Sequence, residues 1–111
     1  DINKRLIDMG IEVLRLDLRV MDGAKLSFKD KTYDLVGYMN TLFEYEPSIC
    51  KKFVAEGLRV ARKWVEFDTA DRTDYCPAPS KKQIHEWLGE KIVVDVDLSQ
   101  KRRLYIARLA N

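Results

Sequence analysis

An apolar run, "YDLVGYM" (Tyr33–Met39), and a second segment of strand length, "KWVEFD" (Lys63–Asp68), flank a stretch in which Ile49, Phe53, Val54, Leu58 and Ala61 recur at intervals of three and four. That spacing lays one apolar stripe along a helix. Pro47 and Ser48 suit its first turn, and the basic residues up to Arg62 suit its last. The first flanking run has strand length and is apolar without alternation, the pattern of a strand covered on both faces in a parallel sheet. Strand, helix and strand in that order form a crossover unit, which joins parallel strands with right-handed sense. The chain is thereby committed to an α/β layered fold.

The flanking segments extend this frame. Asp1, Ile2, Leu6 and Ile7, closed by Gly10, read as a short amphipathic helix with an acidic N-cap. In "EVLRLDLRV" (Glu12–Val20), Val13, Arg15, Asp17 and Arg19 alternate with Leu14, Leu16, Leu18 and Val20, the period of a strand. "MDGAKLSFKDKT" (Met21–Thr32) is a loop, as is Thr69–Pro79 with its two prolines. Ser80 caps a helix holding Ile84, Trp87 and Leu88 and stopping at Gly89. "KIVVDVDL" and "RRLYIARL", separated by the polar "SQK", predict a C-terminal β-hairpin. The expected order is helix, strand, strand, helix, strand, helix, strand, strand.

Size and charge bound what such a chain does. With 111 residues it is a single domain, and 46% apolar against 34% charged residues describes a globular protein. Twenty basic residues against 18 acidic ones leave a net charge of +2, too little to attract a polyanion, so nucleic acid is not an expected partner. The runs Lys81–Lys82 and Lys101–Arg103 read as a helix start and a hairpin turn. No apolar run reaches membrane-spanning length, so no membrane partner is expected either. Cys50 and Cys76 form no paired motif, which makes the cytoplasm the expected location. The start at Asp1, without an initiator Met, is expected to reflect processing or a fragment.

Four motifs occur in series: "DINKRLI" at Asp1, "MDGAKLSF" at Met21, "YDLV" at Tyr33 and "EGLRV" at Glu56. In order and separation they resemble the later part of a class I S-adenosylmethionine-dependent methyltransferase of the small-molecule, ubiquinone-biosynthesis-like group. That family shows an acid ending its second strand, an Asp before "LPF", "FDxV", and a helix ending "ExxRV". The resemblance implies a Rossmann-like methyltransferase sheet, mostly parallel with an antiparallel C-terminal hairpin and truncated at the N-terminus, with a small-molecule methyl acceptor. It implies that Asp1 binds the cofactor ribose hydroxyls and that Asp22 accepts from the adenine amino group, with Gly23 and Ala24 beside it. It further implies that Asn40 contacts cofactor or substrate and that Phe43 and Tyr45 wall the acceptor pocket. Methyl transfer is an in-line displacement helped mainly by positioning, so no catalytic nucleophile is assigned.

The sequence departs from the family in three places. Its five glycines are isolated at Gly10, Gly23, Gly37, Gly57 and Gly89, so the glycine-rich "GxGxG" loop that holds the cofactor is missing. Ser27 stands where the family has the Pro of "LPF", and "ARKWVEF" replaces a "PGG" turn after "RV". Weak or absent binding of S-adenosylmethionine by this chain alone is therefore expected. In the family the first strand lies at the sheet centre. Without it, a buried strand is left with unpaired backbone groups at about 1–3 kcal/mol each. An upstream segment, or a homo-oligomer formed edge to edge, is expected to fill the gap. The alternative is a non-catalytic methyltransferase-fold module for oligomerisation or protein interaction.

Plainer roles exist for single residues. Asp1 suits a helix N-cap, Asp22-Gly23 an ordinary turn, and Asp34 a strand-start residue satisfying backbone or a neighbouring cation. His85, the sole histidine, has no ligand partner at i+4, so no metal site is expected. Glu44, Glu46, Asp68, Asp71 and Asp74 read as solvated loop acids, and Cys76 lacks an activating base.

Overall fold

The computed structural model describes residues 3–14, 19, 21–38, 45–70, 78–98 and 102–109. The elements are α1 (Lys4–Leu14), β1 (Tyr33–Tyr38), α2 (Pro47–Val60), β2 (Ala61–Ala70), α3 (Lys81–Leu88), β3 (Ile92–Asp97) and β4 (Arg102–Arg108).

α1 begins one cap later than expected: Asn3 Oδ1 accepts from the Leu6 amide at 3.2 Å, and a Lys4–Asp8 ion pair spans one turn. It also runs through Gly10 to Leu14, so the strand expected over Glu12–Val20 is helical at its first three residues. Ile7, Ile11 and Leu14 recur at helical spacing as well as opening the leucine alternation, and one interior glycine costs a helix only about 1 kcal/mol. Residues 15–18 and 20 of that expected strand lie outside the described residues.

The remaining elements lie close to where the sequence places them, except that α2 ends at Val60 rather than near Arg62 and β2 runs Ala61–Ala70, taking Thr69 and Ala70 from the expected loop. α2 passes into β2 with no loop, because Ala61 turns to extended backbone while its amide still bonds Gly57 O. A reciprocal capping box opens α3: Ser80 Oγ accepts from the Gln83 amide at 3.1 Å, and Gln83 Oε1 accepts from the Ser80 amide at 2.9 Å. Gly89, at φ 54°, ends it in the left-handed region. A single 3₁₀ turn, Gly89–Lys91, then leads into β3.

The sheet order is β1-β2-β4-β3. β1 and β2 run parallel, with Tyr38 opposite Phe67, whereas β4 is antiparallel to both β2 and β3. The hairpin inserts its second strand between β2 and β3, so the parallel crossover and the antiparallel hairpin share one sheet. Val36, Tyr38, Val65, Phe67, Tyr105 and Ala107 share the face packed against Cys50, Phe53 and Val54 of α2 and Ile84 and Leu88 of α3. β1 differs from expectation: among the described residues it is the sheet edge and is covered on one face only, leaving Leu35 53% exposed. Among the described residues no helix is long and apolar enough to cross a membrane.

Candidate functional site

The Phe53 ring, on the second turn of α2, gathers three parts of the chain. Tyr38, the last residue of β1, stacks on it at 6.2 Å and 8°. Tyr45 meets it edge-on at 5.1 Å. Gly23 lies over it so closely that a Cβ there would stand 3.3 Å from the ring. The Asp22–Ala24 turn, the carboxyl end of β1 and Tyr45 therefore meet at the carboxyl edge of the parallel strands, where open α/β sheets bind ligands.

The turn is built by its own acid. Asp22 Oδ1 accepts from the Ala24 amide at 2.9 Å and Asp22 O from the Lys25 amide at 3.0 Å. The Asp22 side chain is exposed, while Gly23 and Ala24 are partly covered.

Beyond the turn an ion pair on α2 holds the loop. Arg59 grips both oxygens of Glu56 at 2.8 Å, donates to Phe28 O and Asp30 Oδ1 at 2.8 Å each, and donates to Leu26 O at 3.0 Å. Glu56 Oε2 in turn accepts from the Leu26 amide at 2.8 Å. The hydrogen bond from Arg59 holds the Glu56 carboxyl below its usual value, and Glu56 and Asp30 push the guanidinium up. This is the "ExxR" of the fourth sequence motif, here a clamp on the second.

Tyr38 Oη is buried without a partner among the described residues. Burial raises its pKa above the ordinary 10, and the Glu56 charge adds to the rise.

A second polar cluster lies toward the edge where β2 and β3 end and β4 begins. His85 Nε2 stands 2.7 Å from Asp95 Oδ2, and Arg103 Nε stands 2.9 Å from Asp95 Oδ1. Burial pushes the Tyr105 phenol up to about 12, with the Asp95 charge adding to it. Asp68 departs from its expected role as a solvated loop acid: it is 1% exposed and paired with Arg102. β2 simply extends past Asp68, and the basic residue that meets it belongs to the run read as a hairpin turn. The carboxylate partner of His85 was likewise missed, because Asp95 arrives from another element. Asp34 pairs with Arg62 at 2.9 Å, as a strand-start acid beside a cation.

Of the expected site residues, the structure brings Asp22, Gly23, Ala24 and Tyr45 together at Phe53. Asp1, Asn40 and Phe43 lie outside the described residues. No group of three or more metal-ligating side chains occurs among the described residues. A groove of about 350 Å³ between α2 and α3 is lined by Val54, Leu58 and Trp87 among others, and by none of the residues gathered at Phe53.

No protein-family model and no curated protein matches the chain. Solved structures do. The magnesium protoporphyrin IX methyltransferase ChlM of Synechocystis PCC 6803, with bound SAH, superposes with a TM-score of 0.77 at 17% identity, over 99% of this chain and 62% of that one. The fold is that of the class I S-adenosylmethionine-dependent methyltransferases.

Further solved structures superpose on the chain as well. The PH0226 protein of Pyrococcus horikoshii OT3 gives a TM-score of 0.79 at 14% identity, over 99% of this chain and 69% of that one. The [4+2]-cyclase SpnF gives 0.71 at 15% identity, over 91% and 59%. This chain thus spans roughly three fifths to two thirds of these proteins. The cyclase shows that the fold carries more than one chemistry.

Proposed function

We propose that this chain is the adenosine- and acceptor-side portion of an S-adenosylmethionine-dependent methyltransferase acting on a small molecule. The observation supporting it is the Phe53 ring, which joins the Asp22–Ala24 turn, the end of β1 and Tyr45 at the ligand edge of the sheet. The residues present fit the adenosine end of the cofactor. An exposed carboxylate stands beside a glycine and an alanine, whose own side chains bring nothing larger than a methyl group toward an approaching ring. They do not supply the glycine-rich turn for its carboxylate end.

When bound, the cofactor supplies an electrophilic methyl group on a sulfonium, which passes to an acceptor nucleophile as the sulfonium–carbon bond breaks. The protein's share is positioning. Asp22 accepts from the adenine amino group and Asp1 from the ribose hydroxyls. Asn40 orients a polar group of the acceptor or contacts the cofactor, and Phe43 and Tyr45 wall the acceptor and exclude water. Binding by this chain alone is weak, in the range of about 1 mM or above, for want of the glycine turn.

Heteronuclear NMR titration with S-adenosylhomocysteine tests the reading. Shifts centred on Asp1, Asp22–Leu26, Tyr38, Asn40 and Tyr45, saturating near or above about 1 mM, are expected. Shifts centred on the α2–α3 groove instead refute it. A micromolar affinity refutes the claim that the donor site is incomplete.

A second reading is favoured by the exposed edge of β1: a non-catalytic module that self-associates strand to strand. Concentration-dependent sedimentation separates the two, since the methyltransferase reading does not require a second copy of the chain.

A further inference from the structure

The loop from Met21 to Thr32 contains no helix or extended strand, yet it has to hold the Asp22 carboxylate still if that group is to read a ligand. Its supports lie along one helix. Gly23 rests on Phe53, Leu26 is tied to Glu56, and Leu26, Phe28 and Asp30 are tied to Arg59. Positions 53, 56 and 59 are spaced by three, so they form a rail along the loop side of α2. Farther on, the Lys31 and Thr32 amides bond the carbonyls of Arg59 and Val60 at 2.9 and 2.7 Å.

The same ion pair holds Leu26 at both backbone groups: Glu56 takes its N–H and Arg59 its C=O. Leu26 lies two residues beyond Ala24, so the Asp22–Ala24 turn is suspended between the Phe53 ring and this fixed residue. The arrangement needs the guanidinium fork. Arg59 grips a carboxylate with two nitrogens while reaching two carbonyls and a second carboxylate, and a lysine ammonium cannot span those directions. Both side chains lie on the rim rather than in the core, being 32% and 19% exposed. Their effect on the turn is therefore separable from their effect on the fold.

We propose that Glu56 and Arg59 are positioning residues that set the base selectivity of the Asp22–Ala24 turn without touching the ligand. The inference rests on the adenosine reading of that turn.

The test uses the 111-residue chain and its Arg59→Lys and Glu56→Gln variants, titrated by NMR with S-adenosylhomocysteine and with S-inosylhomocysteine. The second ligand replaces the amino donor of the base by a carbonyl acceptor. Amide exchange at Ala24, Lys25 and Leu26 is followed in parallel. The wild-type chain is expected to prefer the adenosine ligand about tenfold. Each variant is expected to fall to about twofold or less, with exchange at the three amides at least about tenfold faster. The ratio of the two affinities is the decisive readout. Partial unfolding lowers both affinities alike and leaves their ratio unchanged. A wild-type preference that both variants retain overturns the inference while the adenosine reading stands. A wild-type chain with no preference overturns the adenosine reading, and the inference with it, even if exchange accelerates in the variants.

Discussion

Replacing Gly57 by alanine sets two physical effects against each other. In an interior helical position the change favours folding by about 1 kcal/mol, because glycine has the larger backbone entropy to lose. Against this, a Cβ at position 57 would stand 2.7 Å from Tyr38 Cε2, 3.3 Å from Tyr38 Oη and 3.4 Å from Val65 Cγ1. Carbon atoms prefer about 3.5–4.0 Å, so the overlap with the ring approaches 1 Å. The ring cannot swing clear, since it is stacked on Phe53 and 9% exposed. Overpacking of this kind costs about 1–3 kcal/mol. The net expectation for Gly57→Ala is a loss of about 1 kcal/mol, seen as a fall of about 4 °C in melting temperature for a chain of this size.

A double-mutant cycle isolates the cause. With Tyr38→Leu as background the ring is gone, and Gly57→Ala should become stabilising by about 1 kcal/mol, a coupling of roughly 2 kcal/mol. Tyr38→Phe keeps the clashing carbon and should not rescue. Urea unfolding of the six proteins, the wild-type, Tyr38→Leu and Tyr38→Phe chains each with and without Gly57→Ala, measures all of these terms. If Gly57→Ala stabilises the wild-type chain, the Tyr38 ring does not lie across α2, and the placement of β1 beneath that helix is wrong.

Three further outcomes are expected. Ser80→Ala removes the oxygen that receives the Gln83 amide and should cost about 1 kcal/mol in urea unfolding, whereas Ser80→Asp should retain most of the stability. Tyr105 and Tyr38 should ionise above the ordinary value of 10 when absorbance at alkaline pH is followed. Their folded pKa values lie above the unfolded 10, so the stability they contribute is complete below pH 10 and declines above it, for Tyr105 as pH rises to about 12. Glu56 carries the opposite sign: its carboxyl is held below the usual 4.5, so its contribution is complete above that pH and lost as acid passes below it. Exchange at the Leu26 amide should rise in the same range.

The α2 stripe, the cap at Ser80, the stop at Gly89 and the closing hairpin were legible because each is set by local chemistry within about one turn. Pairing order was less so, since β4 lies between β2 and β3 through contacts made across the chain. At Glu12–Leu14 the alternation misled for a related reason: Leu14 continues the helical spacing of Ile7 and Ile11 while it also opens the leucine alternation, and short segments do not separate the two periods. At the site, Asp22, Gly23 and Ala24 were legible as a motif, and the structure adds the ring on which they rest. In the sequence Phe53 is one member of an apolar stripe, and Arg59 is a basic residue of the "EGLRV" motif near a helix end. Periodicity reports which face of α2 is apolar, but not that Gly23 and Leu26 return to that helix from thirty residues upstream. The buried Asp68–Arg102 pair was hidden in the same way, with its partners on different strands.

β1 is where composition and position disagree. Its six residues include one charged side chain, Asp34, and neither lysine nor proline, the composition of a strand between two others. Yet it forms the edge of the described sheet, with Tyr33 and Leu35 at 42% and 53% exposure. β3, at the opposite edge, carries Asp95 and Asp97, both engaged by Arg103, and is guarded as edges usually are. The unguarded edge presents about 20 Å of backbone donors and acceptors, which a further strand can pair at little cost in order because β1 is already held by α2 and β2. Both functional readings place a strand there, and they differ in what that strand carries. If it ends in a glycine-rich turn, its amides face the carboxyl edge beside Asp22 and complete a donor site. If it belongs to a second copy of this chain, it brings no such turn, and what it adds is association through the sheet.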